Sequence, residues 1–154
     1  MILSREKIIK AIQSKEIIID PFDESSFKNA SYTFTLGGKF RKLKPVEFID
    51  SKIKTQNFEE FEIGENGHLL KPGEFIICHT RERLKLGDTI ACFLSMKGSM
   101  AQTGLDTLGC EVFCEPGSEG GWEGKLMLET TNNGPYPIKL FPGINIIKGV
   151  FIKL

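Results

Sequence analysis

The chain has 154 residues, with 20 Lys and Arg against 20 Asp and Glu, 40% apolar and 26% charged. This length fits one compact domain spanning residues 1–154, and a formal net charge of zero removes the broad basic field that draws a protein onto nucleic acid. No apolar run reaches the ~18 residues that cross a bilayer, and the first ten residues already carry Arg5, Glu6, Lys7 and Lys10. No nucleic-acid partner, membrane segment or export signal is therefore expected. Cys78, Cys92, Cys110 and Cys114 read as free thiols, and the cytoplasm is the expected compartment.

Ser4 stands where it can cap a helix from Arg5 to about Ser14, with Glu6 near the positive end and Ile8, Ile9 and Ile12 as an apolar stripe. It is the one helix the sequence predicts. Beyond it, 16 Gly and 7 Pro separate short stretches rich in Ile, Val, Phe and Thr, the pattern of an all-β domain. Strands are predicted over 16–20, 31–36, 46–49, 74–80, 89–95, 111–114, 124–131, 138–140 and 144–152. Turns are predicted at Lys71-Pro72-Gly73, Leu86-Gly87-Asp88, Asn133-Gly134-Pro135 and Phe141-Pro142-Gly143. The polar segment 51–67, with Glu59, Glu60, Glu62 and Glu65, reads as a surface hairpin or excursion.

Cys78-His79 and Cys110-x-x-x-Cys114 invite a zinc reading, but a structural site needs four ligands and the only other histidine is His68. No metal ligands are assigned. The His-x-Glu and Pro-Cys-x-x-Cys strings of zinc nucleobase deaminases are missing, as are a Gly-x-Ser-x-Gly elbow, a phosphate-binding P-loop and a Gly-x-Gly-x-x-Gly turn.

Two stretches remain. Lys97-Gly98-Ser99-Met100-Ala101-Gln102 follows an apolar strand; small residues there allow close backbone approach, successive amides can form an anion-binding concavity, and Lys97 adds charge. The same string also suits an ordinary strand-ending turn with a solvated lysine. The second runs from Gly120-Gly121-Trp122-Glu123-Gly124 into the strand ending at Glu129. Alternation puts Leu126 and Leu128 on one face and Met127, Glu129 and Thr131 on the other. A carboxylate beside Met127 in an apolar strand suits proton transfer, and equally a carboxylate that meets solvent or a lysine.

In order along the chain, several further segments join these: Ile19-Asp20-Pro21-Phe22, Ala30-Ser31-Tyr32, Leu36-Gly37, Phe40-Arg41, Leu70-Lys71-Pro72-Gly73-Glu74-Phe75, Gly104-Leu105, Leu128-Glu129 and Gly134-Pro135-Tyr136-Pro137-Ile138 through Pro142-Gly143. Together they resemble the dCTP deaminase branch of the dUTPase superfamily across nearly the whole chain.

The resemblance implies a distorted β-barrel (dUTPase-like, β-clip) that works as a homotrimer with nucleotide pockets between subunits. It implies hydrolysis of dCTP to dUTP without zinc. Glu129, matched by the Gly-Trp-x-Gly-x-x-x-x-Glu spacing, would be the general base and acid. Lys97, Gly98, Ser99, Gln102 and Trp122 would contact a deoxynucleoside triphosphate, dCTP or dUTP, that brings Mg2+ with it.

The departures fall at the phosphate end. Lys97-Gly98-Ser99-Met100-Ala101-Gln102 stands where the family has Arg-Ser-Ser-Leu-Ala-Arg, so a serine hydroxyl and the second arginine are gone. Thr33 replaces an Asp, and Glu119-Gly120-Gly121 stands for Asp-Pro-Gly. Segment 106–118 is long, with Glu111 and Glu115, and offers no match for a further family arginine. A tail that closes over the nucleotide in the family has no counterpart up to Leu154. These departures keep a second reading open, a binding or regulatory homotrimer that has lost catalysis. A dUTP pyrophosphatase needs a carboxylate to orient water, and Thr33 argues against it.

Overall fold

The computed structural model describes residues 1–107, 112–117 and 123–154. Helix α1 (Arg5–Gln13) forms as predicted, burying Ile8 and Ala11, with Ile9 and Ile12 packed against the core. Ser4 occupies the N-cap but makes no side-chain capping bond. The Arg5 N–H is satisfied instead by the Asn29 carbonyl at 2.8 Å.

The strands follow as β1 (Ile17–Asp20), β2 (Tyr32–Thr35), β3 (Lys39–Leu43), β4 (Phe58–Glu62), β5 (His68–Leu70), β6 (Phe75–Leu86), β7 (Ile90–Met96), β8 (Leu105–Asp106), β9 (Phe113–Cys114), β10 (Glu123–Asn132), β11 (Ile138–Leu140) and β12 (Asn145–Lys153). A 3-10 turn at Glu24–Ser26 and a one-turn helix α2 (Gly98–Ala101) interrupt them. The class is all-β, as expected. The barrel, however, is not closed: the strands form sheets β4-β3-β6-β10-β8, β2-β12-β7-β9 and β11-β5, with β1 also pairing β6. They surround one shared core in which Tyr32, Phe34, Phe40 and Phe151 are the bulkiest buried side chains.

Two local expectations are corrected. No strand forms at 46–49, where Val46 is 58% and Phe48 74% exposed. The segment lies in the excursion between β3 and β4, and the edge of β3 that it would need is already taken by β4. Strands β3, β4, β5 and β8 also form where none was predicted. Pairs Lys39↔Glu62, Arg41↔Glu60 and Lys42↔Glu59 hold opposite charges across the β3–β4 register, a cross-strand complementarity that apolar patterning does not register.

Strands β6 and β10 make the longest pairing near the centre. Leu126, Leu128, Thr130 and Asn132 point inward from β10, and Ile76, Cys78, Thr80 and Glu82 from β6. The buried Glu82 carboxylate is held by the Thr35 N–H at 2.9 Å and the Thr35 hydroxyl at 2.7 Å. At the end of β10, Asn132 Nδ2 donates to the carbonyls of Leu70 (3.0 Å) and Tyr136 (2.8 Å), and its Oδ1 accepts from the Gly134 N–H (2.9 Å). Gly104, at φ +89°, lies against the Gly134 backbone so closely that a Cβ would overlap it.

The Asn132 side chain therefore ties β10 to β5 and to the following turn. Replacing it by Ala leaves buried groups without partners, each costing about 1–3 kcal/mol. Asn132→Ala is expected to lower unfolding free energy by about 2–4 kcal/mol, read as a fall in the urea midpoint at unchanged slope. Asn132→Asp, which cannot donate, should lose a similar amount.

Candidate functional site

Because Leu126, Leu128 and Thr130 are buried, Met127 and Glu129 face the other side of β10. Glu129 is half-buried there and stands opposite Ile77 of β6, which in turn stands opposite Arg41 of β3. Residues directly opposite in an antiparallel pair share a face, so Arg41, Ile77 and Glu129 form one row across three strands. The neighbouring rows hold His79 opposite Met127 on one side, and on the other Thr131 between Phe75 and Asp106. Among the described residues no hydrogen bond or ion pair engages Glu129. Its flanks are Ile77, Met127 and Thr131, with no lysine partner.

The stretch from Lys97 to Gln102 takes a different form from the predicted concavity. It winds into α2, and the amides of Met100, Ala101 and Gln102 bond back to the carbonyls of Lys97, Lys97 and Gly98 at 2.9, 3.0 and 3.1 Å. Those amides cannot also line an anion cradle. Lys97 is half-buried, while Gly98, Ser99 and Gln102 are exposed, and a Cβ on Gly98 would meet open space. Within one chain, no described hydrogen bond or ion pair joins these residues to Glu129. Strand β8, which follows α2, pairs Asp106 with Thr131, two residues beyond Glu129. Trp122, Cys110, Glu111 and the Glu119-Gly120-Gly121 string lie outside the described residues.

Thr33, at the position of the family aspartate, is 3% exposed, and its hydroxyl has no partner. No group of three or more His, Cys, Asp or Glu among the described residues is arranged to hold a metal ion, and no described helix is long and apolar enough to cross a membrane.

One feature escapes the sequence entirely. A cleft of about 840 Å³ opens between the β3–β4 hairpin and strands β6 and β10, lined among others by Arg41, Glu60, His79 and Lys125, and by neither Glu129 nor the 97–102 turn. Its charged members come from four strands; Phe40-Arg41 is among the segments that carry the resemblance, but only the register brings Arg41 together with His79 and Lys125.

Comparison with known proteins agrees with this architecture. The sequence model of the dCTP deaminase-like family matches residues 2–154. The chain is 36% identical over 160 residues to a dUMP-forming dCTP deaminase of Hydrogenobaculum sp. (strain Y04AAS1), covering 100% of this chain and 83% of the relative. It is 31% identical over 159 residues to a dUMP-forming dCTP deaminase of Persephonella marina, covering 100% of this chain and 84% of that one. The crystal structure of 2'-deoxycytidine 5'-triphosphate deaminase from Agrobacterium tumefaciens matches with a TM-score of 0.70 at 19% identity, over 97% of this chain. That likeness is one of fold, and the chain spans 47% of the Agrobacterium chain's length.

The described thiols take no visible part in the site. Cys78, Cys92 and Cys114 are free and buried. Burial pushes Cys78 up to about 12, and burial together with the neighbouring Cys114 thiol raises Cys92 well above the ordinary range. Thiolate is the reactive form. Iodoacetamide at pH 8 should therefore leave Cys78 and Cys92 unmodified in the native protein and alkylate both after denaturation, as read by peptide mass spectrometry.

Proposed function

The chain belongs to the dCTP deaminase-like family, and we propose that it removes the amino group of dCTP by hydrolysis, with Glu129 as the proton shuttle. The observation that carries this reading is the position of Glu129: half-buried on the outer face of β10, between Ile77 and Met127, engaged by no described partner. A carboxylate so placed can take a proton from water as the oxygen attacks C4 of cytosine, then return protons to the ring and to the departing nitrogen. C4 becomes a carbonyl and ammonia leaves. General acid–base catalysis of this kind contributes about 10²–10⁴-fold.

Lys97, Gly98, Ser99 and Gln102 are assigned to the phosphates and Trp122 to the substrate. The Lys97 side chain supplies charge, and the Ser99 hydroxyl and Gln102 amide supply donors. Mg2+ arrives on the triphosphate, which needs no protein cage of its own. Membership of the family supports a homotrimer in which a second protomer completes each pocket.

The sequence alone leads to dUTP as product. The relatives are named dUMP-forming, and we take dUMP as the product here too. One water replaces the amino group at C4 and a second cleaves the α–β phosphoanhydride, so dCTP and two waters give dUMP, pyrophosphate and ammonia. Since Thr33 is no carboxylate, another group has to orient the second water. A second reading, a trimer that binds nucleotide without turnover, is favoured by Gln102 and Thr33 standing where the family has charged side chains.

Incubation of the protein with dCTP and Mg2+ should yield dUMP by chromatography, and Glu129→Gln should lower the rate by at least about 10²-fold. Binding of dCTP without product in the wild type would favour the second reading. Light scattering should give three times the 17.3 kDa chain mass, and a monomer would contradict the shared pocket.

A further inference from the structure

We propose that the cleft between the β3–β4 hairpin and strands β6 and β10 is a second binding site, taking a phosphate-class oxyanion through Arg41, Lys125 and His79. Strand β3 brings Lys39 and Arg41 to it, β4 Glu60 and Glu62, β6 His79, and β10 Lys125. Lys39 and Glu62 approach to 4.0 Å at the rim, both well exposed. Arg41 and Lys125 remain, opposed by Glu60 alone. Although Glu60 stands opposite Arg41 in the register, no carboxylate among the described residues comes within 4.0 Å of either cation. The cleft therefore carries surplus positive charge.

The guanidinium is also held in place before any ligand arrives. Its carbon sits 5.0 Å over the Phe58 ring, and Nη2 lies 3.4 Å from Met127 Sδ, a weak acceptor. Nε is buried with no hydrogen-bond partner. An atom so enclosed is out of a ligand's reach, and an oxyanion in the cleft would meet the outer nitrogens of the guanidinium. A planar guanidinium with an ammonium nearby is the chemistry that recognises phosphate. His79 is half-buried beside them, and burial first, then the charges of Arg41 and Lys125, hold its pKa below the ordinary value. The one N–H of the neutral ring is engaged by the Lys39 carbonyl, and a bound anion would draw a second proton onto the other nitrogen.

The cleft lies beside the Glu129 row, which Arg41 shares, but neither Glu129 nor the 97–102 turn lines it. The phosphate could be free or carried on a nucleotide, and the test separates the two. His79 is titrated by 1H–15N NMR of its imidazole in the full chain, with and without pyrophosphate, and in parallel with dCTP using the Glu129→Gln protein. Pyrophosphate is expected to raise the His79 midpoint by about one pH unit. The shift should vanish in Arg41→Gln and Lys125→Gln but persist in Lys97→Gln. A shift with dCTP and none with pyrophosphate would support the site, with nucleotide-borne phosphate as its ligand, where it vanishes in Lys125→Gln and persists in Lys97→Gln; one that is lost in Lys97→Gln would belong to the pocket of Glu129 and overturn the proposal. If Arg41→Gln does not fold, Lys125→Gln, at an exposed side chain, carries the comparison. An unchanged midpoint with both ligands, or a shift that survives Lys125→Gln, would overturn the proposal. Neither result depends on turnover, so failure here leaves the deaminase reading untouched.

Discussion

The antiparallel pairing of β6 with β10 governs the rest of the molecule. Leu128 stands opposite Cys78 inside, and Glu129 opposite Ile77 outside. Because side chains alternate with a period of two, a slip of one residue would send the carboxylate into the core and Leu128 into solvent. Burial of Leu126 and Leu128 opposes that slip, and the bulge between Lys125 and Met127 is bridged by the Leu126 N–H on the Thr80 hydroxyl at 2.9 Å. The Asn132 side chain pins the far end. The position of one carboxylate thus rests on apolar burial and backbone hydrogen bonds many residues long, with no salt bridge required.

The phosphate end is built on less. A charge-assisted hydrogen bond is worth about 1.5–3 kcal/mol, or about tenfold or more in affinity. With Gln102 in place of an arginine, the turn after β7 offers a lysine, a hydroxyl and a neutral amide. The helical winding of α2 consumes amides that an open loop would have presented. On this account substrate affinity depends on what a neighbouring protomer and the metal-bound triphosphate add. Arg41, a guanidinium held near the Glu129 face, is reached through an entirely different strand.

Most of the scaffold was legible in the sequence. The helix, β1, β2, β7, β10, β11 and β12 follow from apolar periodicity and from the Pro-Gly turns, and the facing of Glu129 follows from alternation alone. The acidic segment before Gly67 was legible as an excursion, but its return limb β4 was not, since charges opposite charges give no apolar signal. Val46 and Phe48 misled for the converse reason: a run of β-formers with no free edge stays a loop. The engagement of the Met100, Ala101 and Gln102 amides after β7 was not legible, because Gly98-Ser99-Met100-Ala101 closes into a helical turn that residue type alone does not announce. The Arg41 cleft was invisible because pairing register, which single-strand patterns do not contain, is what assembles it.

The proposed chemistry requires residue 129 to meet the base of the nucleotide. A crystal structure of the Glu129→Gln protein with dCTP and Mg2+ tests this directly. It should place the amide of residue 129 within about 3 Å of the cytosine amino group or of the water facing C4, with the phosphates on Ser99 and Lys97 of a neighbouring protomer. A nucleotide bound with its base away from β10, or residue 129 left facing bulk solvent beside an ordered substrate, would contradict it.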